Sequence, residues 1–187
     1  MNAPVLTFRQ PTSPWSQLST VSFAQSAPDG STLPVLQGET SDKVKFRVYN
    51  NFALASNIAS ALNITLTTYD GVGAGSNTCA TSPVSQSWVS IHMRGFGENS
   101  STSPDLFTYF LGSTVAIGGS NPCGCNTYAP EFSSDGTIGQ VNSPYIRAYS
   151  SGNGMGYIEF ETYLILPNTV GATSYNFAIN LAYEWVS

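Results

Sequence analysis

At 187 residues with a net charge of −5, the chain fits one domain with little room for a second, and a protein of this size buries roughly 70% of its unfolded surface, so neither a metal nor disulfides are required for stability. Charged residues make up only 9% of the chain, against about 25% in ordinary globular domains, and 26 Ser and 18 Thr fill the deficit with a neutral, hydroxyl-rich surface. Six bases dispersed along the sequence at Arg9, Lys43, Lys45, Arg47, Arg94 and Arg147, against eleven acids, argue against phosphate-neutralising nucleic-acid binding, and no apolar run approaches the roughly 20 residues of a membrane span.

The opening residues MNAPVLTFRQPTSPW show neither a basic start nor an apolar h-region, so no signal peptide is expected. Pro4, Pro11, Pro14 and Pro28, set among Ser, Thr and Gln, predict an extended arm over residues 1–32. The arm also carries Leu6, Phe8, Trp15, Leu18, Val21 and Phe23, too many large apolar groups for a solvated linker. It is therefore expected to dock, either on its own domain or on a neighbour.

From Leu33 to Ser187 a single domain is expected, because the pattern changes to short period-two stretches bounded by Gly, Asn, Asp or Pro. A strand element is expected around Val35. Val44, Phe46 and Val48 alternate with Lys45, Arg47 and Tyr49, which predicts a strand with one apolar face and one basic, amphipathic face. Ala53–Leu62 is the only segment with tolerable helix propensity and predicts one helical turn. Further strands are predicted at Asn63–Tyr69, Trp88–Arg94, Leu106–Leu111, Val115–Ile117, Tyr145–Tyr149, Tyr157–Leu166 and Tyr175–Trp185. About nine short strands without intervening helices predict an all-β, antiparallel two-sheet β-sandwich, immunoglobulin-like or jelly-roll, preceded by the arm. Two insertions rich in Gly, Ser, Asn and Pro, Gly71–Ser87 and Gly118–Ser143, have the length of functional or contact-forming loops.

Each chemical candidate competes with a plainer explanation. Cys79, Cys123 and Cys125 with His92 could supply four zinc ligands, but the paired CxxC spacing of zinc sites is missing, so no metal is expected. A disulfide from Cys79 to Cys123 or Cys125 needs an oxidising environment; free thiols are the alternative. His92 is the only histidine and shares its predicted strand face with Trp88, Ser90 and Arg94, which suits a structural polar residue better than a general base. Glu159 and Glu161 lie on one strand face about 6.6 Å apart. That separation suits a glycosidase pair, yet such pairs come from different elements lining a cleft. A solvated face with charge pairing to Lys45, Arg47 or Arg147 is expected instead. Asp70–Asn77 is too sparse in oxygen ligands for a calcium loop, and no nucleophile elbow or nucleotide loop occurs. No catalytic residue and no cofactor is assigned.

The stretches Phe46–Ala53 (FRVYNNFA), Asn57–Ala59 and Asn63–Asp70 (NITLTTYD) resemble strand segments of the β-sandwich proteins displayed on tailed-bacteriophage particles, such as capsid-decoration and tail or fibre accessory proteins. The resemblance implies a non-enzymatic virion structural protein, assembled in the host cytoplasm, that binds a repeating surface of the major capsid or tail protein. It also implies self-association, often as a homotrimer, with the arm exchanged between subunits or laid on the shell. Phe8, Trp15 and Phe23 are then the expected partner-contact residues. Ten Tyr, ten Phe and three Trp support a competing expectation, because such rings serve both protein interfaces and sugar stacking. In that case the chain is a carbohydrate-binding module or a receptor-binding adhesin on a tail or fibre. Its exposed Trp88, Tyr128, Tyr145 and Tyr149 would be the platforms for a cell-surface glycan.

Overall fold

A computed structural model describes residues 1–12, 15–53, 55–70, 88–99, 106–109, 115–117, 127–128, 146, 155–169 and 177–187. Their regular structure is all strand: β1 (Leu6–Arg9), β2 (Gln25–Ser26), β3 (Thr32–Leu33), β4 (Val44–Asn50), β5 (Leu62–Asp70), β6 (Val89–Asn99), β7 (Leu106–Tyr109), β8 (Val115–Ile117), β9 (Thr127–Tyr128), β10 (Met155–Leu164) and β11 (Phe177–Glu184). A six-stranded antiparallel sheet runs in the order β1-β4-β10-β6-β7, with β8 also paired to β6. A second sheet runs β11-β5-β9, and β2 and β3 form a small hairpin. The all-β, antiparallel class expected from the period-two stretches is thus present.

Alternation explains the main sheet. Phe46 and Val48 of β4 pair across to Phe160 and Ile158 of β10, and these four side chains are buried with Val89, Ile91, Ala61 and Ile146 in one core. Phe46 and Phe160 stack with ring centroids 5.4 Å apart. Leu181 and Tyr183 of β11 pack against the same core, so the second sheet contributes to the apolar face of the first.

Residues 1–32 contain an element that the proline content concealed. Leu6–Arg9 pair residue for residue with Asn50–Arg47, and the chain then turns back, with the Leu18 N–H donating to the Phe8 carbonyl at 2.8 Å and the Gln10 N–H to the Ser16 carbonyl at 3.0 Å. Leu6, Phe8, Leu18 and Phe23 pack on the core, and Phe8 meets Phe46 at 5.8 Å. Four of the six apolar groups that marked this segment as a docking arm, Leu6, Phe8, Leu18 and Phe23, thus pack within their own chain.

Two local expectations are corrected. Ala53–Leu62 forms no helical turn among its described residues: turns at Phe52–Ala53 and Ser56–Asn57 are followed by isolated bridges at Ile58 and Ala61. Asn51 and Asn57 both take φ of 61°, and the Asn51 amide bonds both the N–H and the carbonyl of Ala55, a local pattern that competes with helix. Val35 lies in an irregular stretch between β3 and β4 rather than in a strand. Of Tyr145–Tyr149 only Ile146 is among the described residues, bridged to Ala61.

Candidate functional site

The face of the main sheet opposite the core carries the unusual chemistry. Odd-numbered residues of β4 present Lys45, Arg47 and Tyr49 there, and Lys43 continues the row just before the strand. Across the pairing, β10 presents Tyr157, Glu159, Glu161 and Tyr163, and β1 sets Arg9 directly opposite Arg47. On β6 the register shifts between the partners of Glu159 and Phe160, which are Gly95 and Met93. Arg94 is therefore the extra residue of a bulge. A bulge re-aims a side chain, and this one brings the Arg94 guanidinium onto Glu159 and Glu161.

The result is a chain of ion pairs. Arg47 Nε donates to Glu159 Oε2 at 2.7 Å, with the two side chains 8% and 3% exposed. Arg94 Nη1 pairs with the other oxygen of Glu159, and Arg94 Nε lies 3.9 Å from Glu161 Oε2. Lys43 Nζ closes the row on Glu161 Oε1 at 2.8 Å. That hydrogen bond, and next to it the negative charge of Glu161, hold the Lys43 ammonium above its ordinary pKa. Aromatic rings lie among the cations: Arg47 is over Tyr157 at 4.2 Å, Arg9 over Phe52 at 3.4 Å, and Tyr49 touches both Phe52 and Tyr157 at 5.2 and 4.9 Å.

The expectation of a solvated face for Glu159 and Glu161 is corrected: they are only 2% and 8% exposed. Charge pairing across strands does occur, but with a different distribution. Glu159 takes the cross-strand partner Arg47. Glu161 has Lys45 opposite it in register, yet bonds Lys43. Arg147 lies outside the described residues. Both carboxylates of that spaced pair are engaged by cations.

Five of the six bases, dispersed over 86 positions from Arg9 to Arg94, converge on this one face with two carboxylates, a local surplus of three positive charges on a chain of net −5. The patterns of β4 and β10 were readable in the sequence; which strands pair is non-local, with 112 residues separating Arg47 from Glu159. Two of the five cations lack an acidic partner among the described residues. Arg9 bonds Thr7 Oγ1 and the Trp15 carbonyl and lies over Phe52. Lys45 is exposed, just beyond the end of β1, which covers β4 only from Arg47 to Asn50.

The expected contact residues fall in different places. Phe8 and Phe23 are half-buried against the core. Trp15 is half-buried at the tip of the turn after β1, with φ of 50°, a backbone region costly for a bulky residue. Of the expected sugar platforms, Trp88 is 7% exposed and so presents no open ring face, while Tyr128 sits in β9 opposite Leu66. Tyr145, Tyr149, Cys79, Cys123 and Cys125 lie outside the described residues. His92 occupies the β6 position opposite Glu161. Among the described residues no three His, Cys, Asp or Glu side chains cluster as metal ligands. No known protein family, curated protein or solved structure matches the chain.

Proposed function

We infer that the chain is a non-enzymatic virion structural protein, a capsid-decoration or tail-associated accessory protein that binds a repeating surface on a particle. The two sheets are then the layers of a β-sandwich, a reading supported by Leu181 and Tyr183 of β11 packing on the core of β4, β6 and β10. The observation that carries the function is the placement of the N-terminal segment. Among the described residues β1 is an edge strand whose strand partner is β4 alone, and between it and β4 lie only the two-residue strands β2 and β3. An edge strand tethered this way can add to its own sheet or to the equivalent edge of a neighbouring subunit. The scarcity of charge and the engagement of Glu159 and Glu161 by cations fit a contact protein better than a catalyst.

The test is co-sedimentation of the full chain with purified phage particles from which accessory proteins have been stripped. Phe8 and Phe23 serve the core, so replacing them perturbs stability as well as contact, and Trp15→Ala is the cleaner variant. Saturable binding to particles, weakened at least tenfold by Trp15→Ala with an unchanged melting temperature, is the expected result. Absence of binding to any particle type, together with binding to glycans on an array, would replace this function with the carbohydrate-binding one.

A further inference from the structure

The few charges of this chain are left uncompensated in two separate places, with opposite signs. On the sheet face, Arg9 and Lys45 have no carboxylate partner among the described residues. Arg9 is held in place by Thr7, Trp15 and Phe52 and keeps N–H donors on its guanidinium free of those bonds. Around the β2–β3 hairpin, Asp29, Glu39 and Asp42 form the opposite set. All three are exposed, and among the described residues they are fixed by neutral groups only. Asp29 Oδ1 accepts from the Ser31 N–H at 2.9 Å and the Ser31 hydroxyl at 2.7 Å. Glu39 Oε2 accepts from Gln25 Nε2 at 3.0 Å, and Asp42 Oδ2 from the Ser26 hydroxyl at 2.6 Å. Each carboxylate keeps its second oxygen outside these bonds. The bonds from Ser31 also hold Asp29 below the usual carboxylate pKa, which keeps it ionised into mild acid.

We propose that these two surfaces are the halves of one contact between copies of this chain: the β2–β3 hairpin region of one copy, with Asp29, Glu39 and Asp42, docks on the Arg9–Lys45 face of the next. Charge complementarity selects a second copy as the occupant. Outside the cationic face the chain carries nine acids and one base, which repels polyanions, and the described carboxylates without cations are concentrated on the hairpin. Because the two halves are different patches, the contact is heterologous and builds a ring if the rotation closes or a filament if it does not. The proposal deepens the assembly function by naming one partner, but its test requires no particle.

Sedimentation of the full chain at low and high salt decides it. At 10 mM salt the Debye length is about 30 Å and at 1 M about 3 Å. The mass should therefore rise above the 19.9 kDa monomer with concentration at low salt and return to it at high salt. Lys45→Glu and Asp29→Lys should each weaken association about tenfold or more, and the doubly substituted chain should regain it, because the pair is restored with its signs exchanged. Lys45→Gln and Asp29→Asn, which remove charge without reversing it, give the same direction and guard against misfolding, and melting temperature reports the fold of each variant. A chain that stays monomeric at both salt concentrations, associates independently of salt, or is not rescued by the double exchange overturns the proposal. Particle binding in the co-sedimentation assay would survive that outcome.

Discussion

Replacing Glu159 by Gln removes one negative charge while keeping the shape of the side chain. Glu159 is 2% exposed and bonded to both Arg47 and Arg94, and Arg47 is itself 6% exposed. The variant removes the buried negative charge that Arg47 and Arg94 share; Arg94 keeps the more distant Glu161. Breaking a buried pair from one side costs about 3–5 kcal/mol, a large share of the roughly 5–15 kcal/mol that holds a domain together. At about 2–4 °C per kcal/mol for a chain of this length, the melting temperature should fall by roughly 6–20 °C. Urea denaturation should show a lower midpoint at an unchanged slope. A loss under about 1 kcal/mol, the size found for solvent-exposed pairs, would refute the assignment of this cluster to the protein interior.

Other consequences are separable from that one. Phe8→Ala removes a half-buried ring that packs on Phe46 and should cost about 2 kcal/mol, below the roughly 3–5 kcal/mol of fully buried Phe truncations, read by denaturant midpoint; no change would mean that β1 contributes nothing to the core. Gly30 has φ of 83° with open space around it, whereas Gly38 has φ of 76° and the Asn168 side chain where a Cβ would go; Gly30→Ala should therefore cost about 1 kcal/mol from backbone strain alone, and Gly38→Ala more, by the same assay. Lys43 has its pKa raised in the folded state by Glu161, so its stabilising contribution is fully present below its ordinary value of 10.5 and is lost as pH rises through the higher folded value. Melting curves of the parent and Lys43→Arg, which stays charged, should diverge above that pH in favour of the Arg variant.

Strands with strict alternation and no internal Pro were legible. Val115–Ile117 was read with the observed ends, and the strands at 44–50, 62–70, 155–164 and 177–184 were located to within about two residues at each end. β1 was not, because its signal is four residues long and lies among prolines; what makes it a strand is the edge of β4, 38 residues away in sequence at the Arg9–Arg47 pair. The same non-locality hid the site. Lys45, Arg47 and Tyr49 were seen to share a face, as were Glu159 and Glu161, but burial depends on what those faces meet. The Arg94 bulge leaves no mark in the one-dimensional pattern: an unbulged β6 would place Arg94, not Met93, beside Gly95 on the pairing ladder.

Buried ion pairs are a weak source of net stability, since desolvation offsets most of the Coulombic gain, so the retention of this one calls for another role. The apolar alternation of β4, β10 and β6 would tolerate a two-residue slip, which keeps every side chain on its face. Such a slip would carry Glu159 about 6.6 Å along the strand from Arg47. The charge pair therefore distinguishes registers that hydrophobicity does not. If that is its role, Arg47→Met combined with Glu159→Leu should recover most of the stability lost in Glu159→Gln, because no charge is stranded between them, while Arg94 retains Glu161. The double variant should nevertheless show more than one set of amide resonances for β4 and β10 in a heteronuclear NMR spectrum. A single sharp set at parental positions would show that the bulge and the Phe46–Phe160 stack already specify the register, and that the pair's role lies elsewhere.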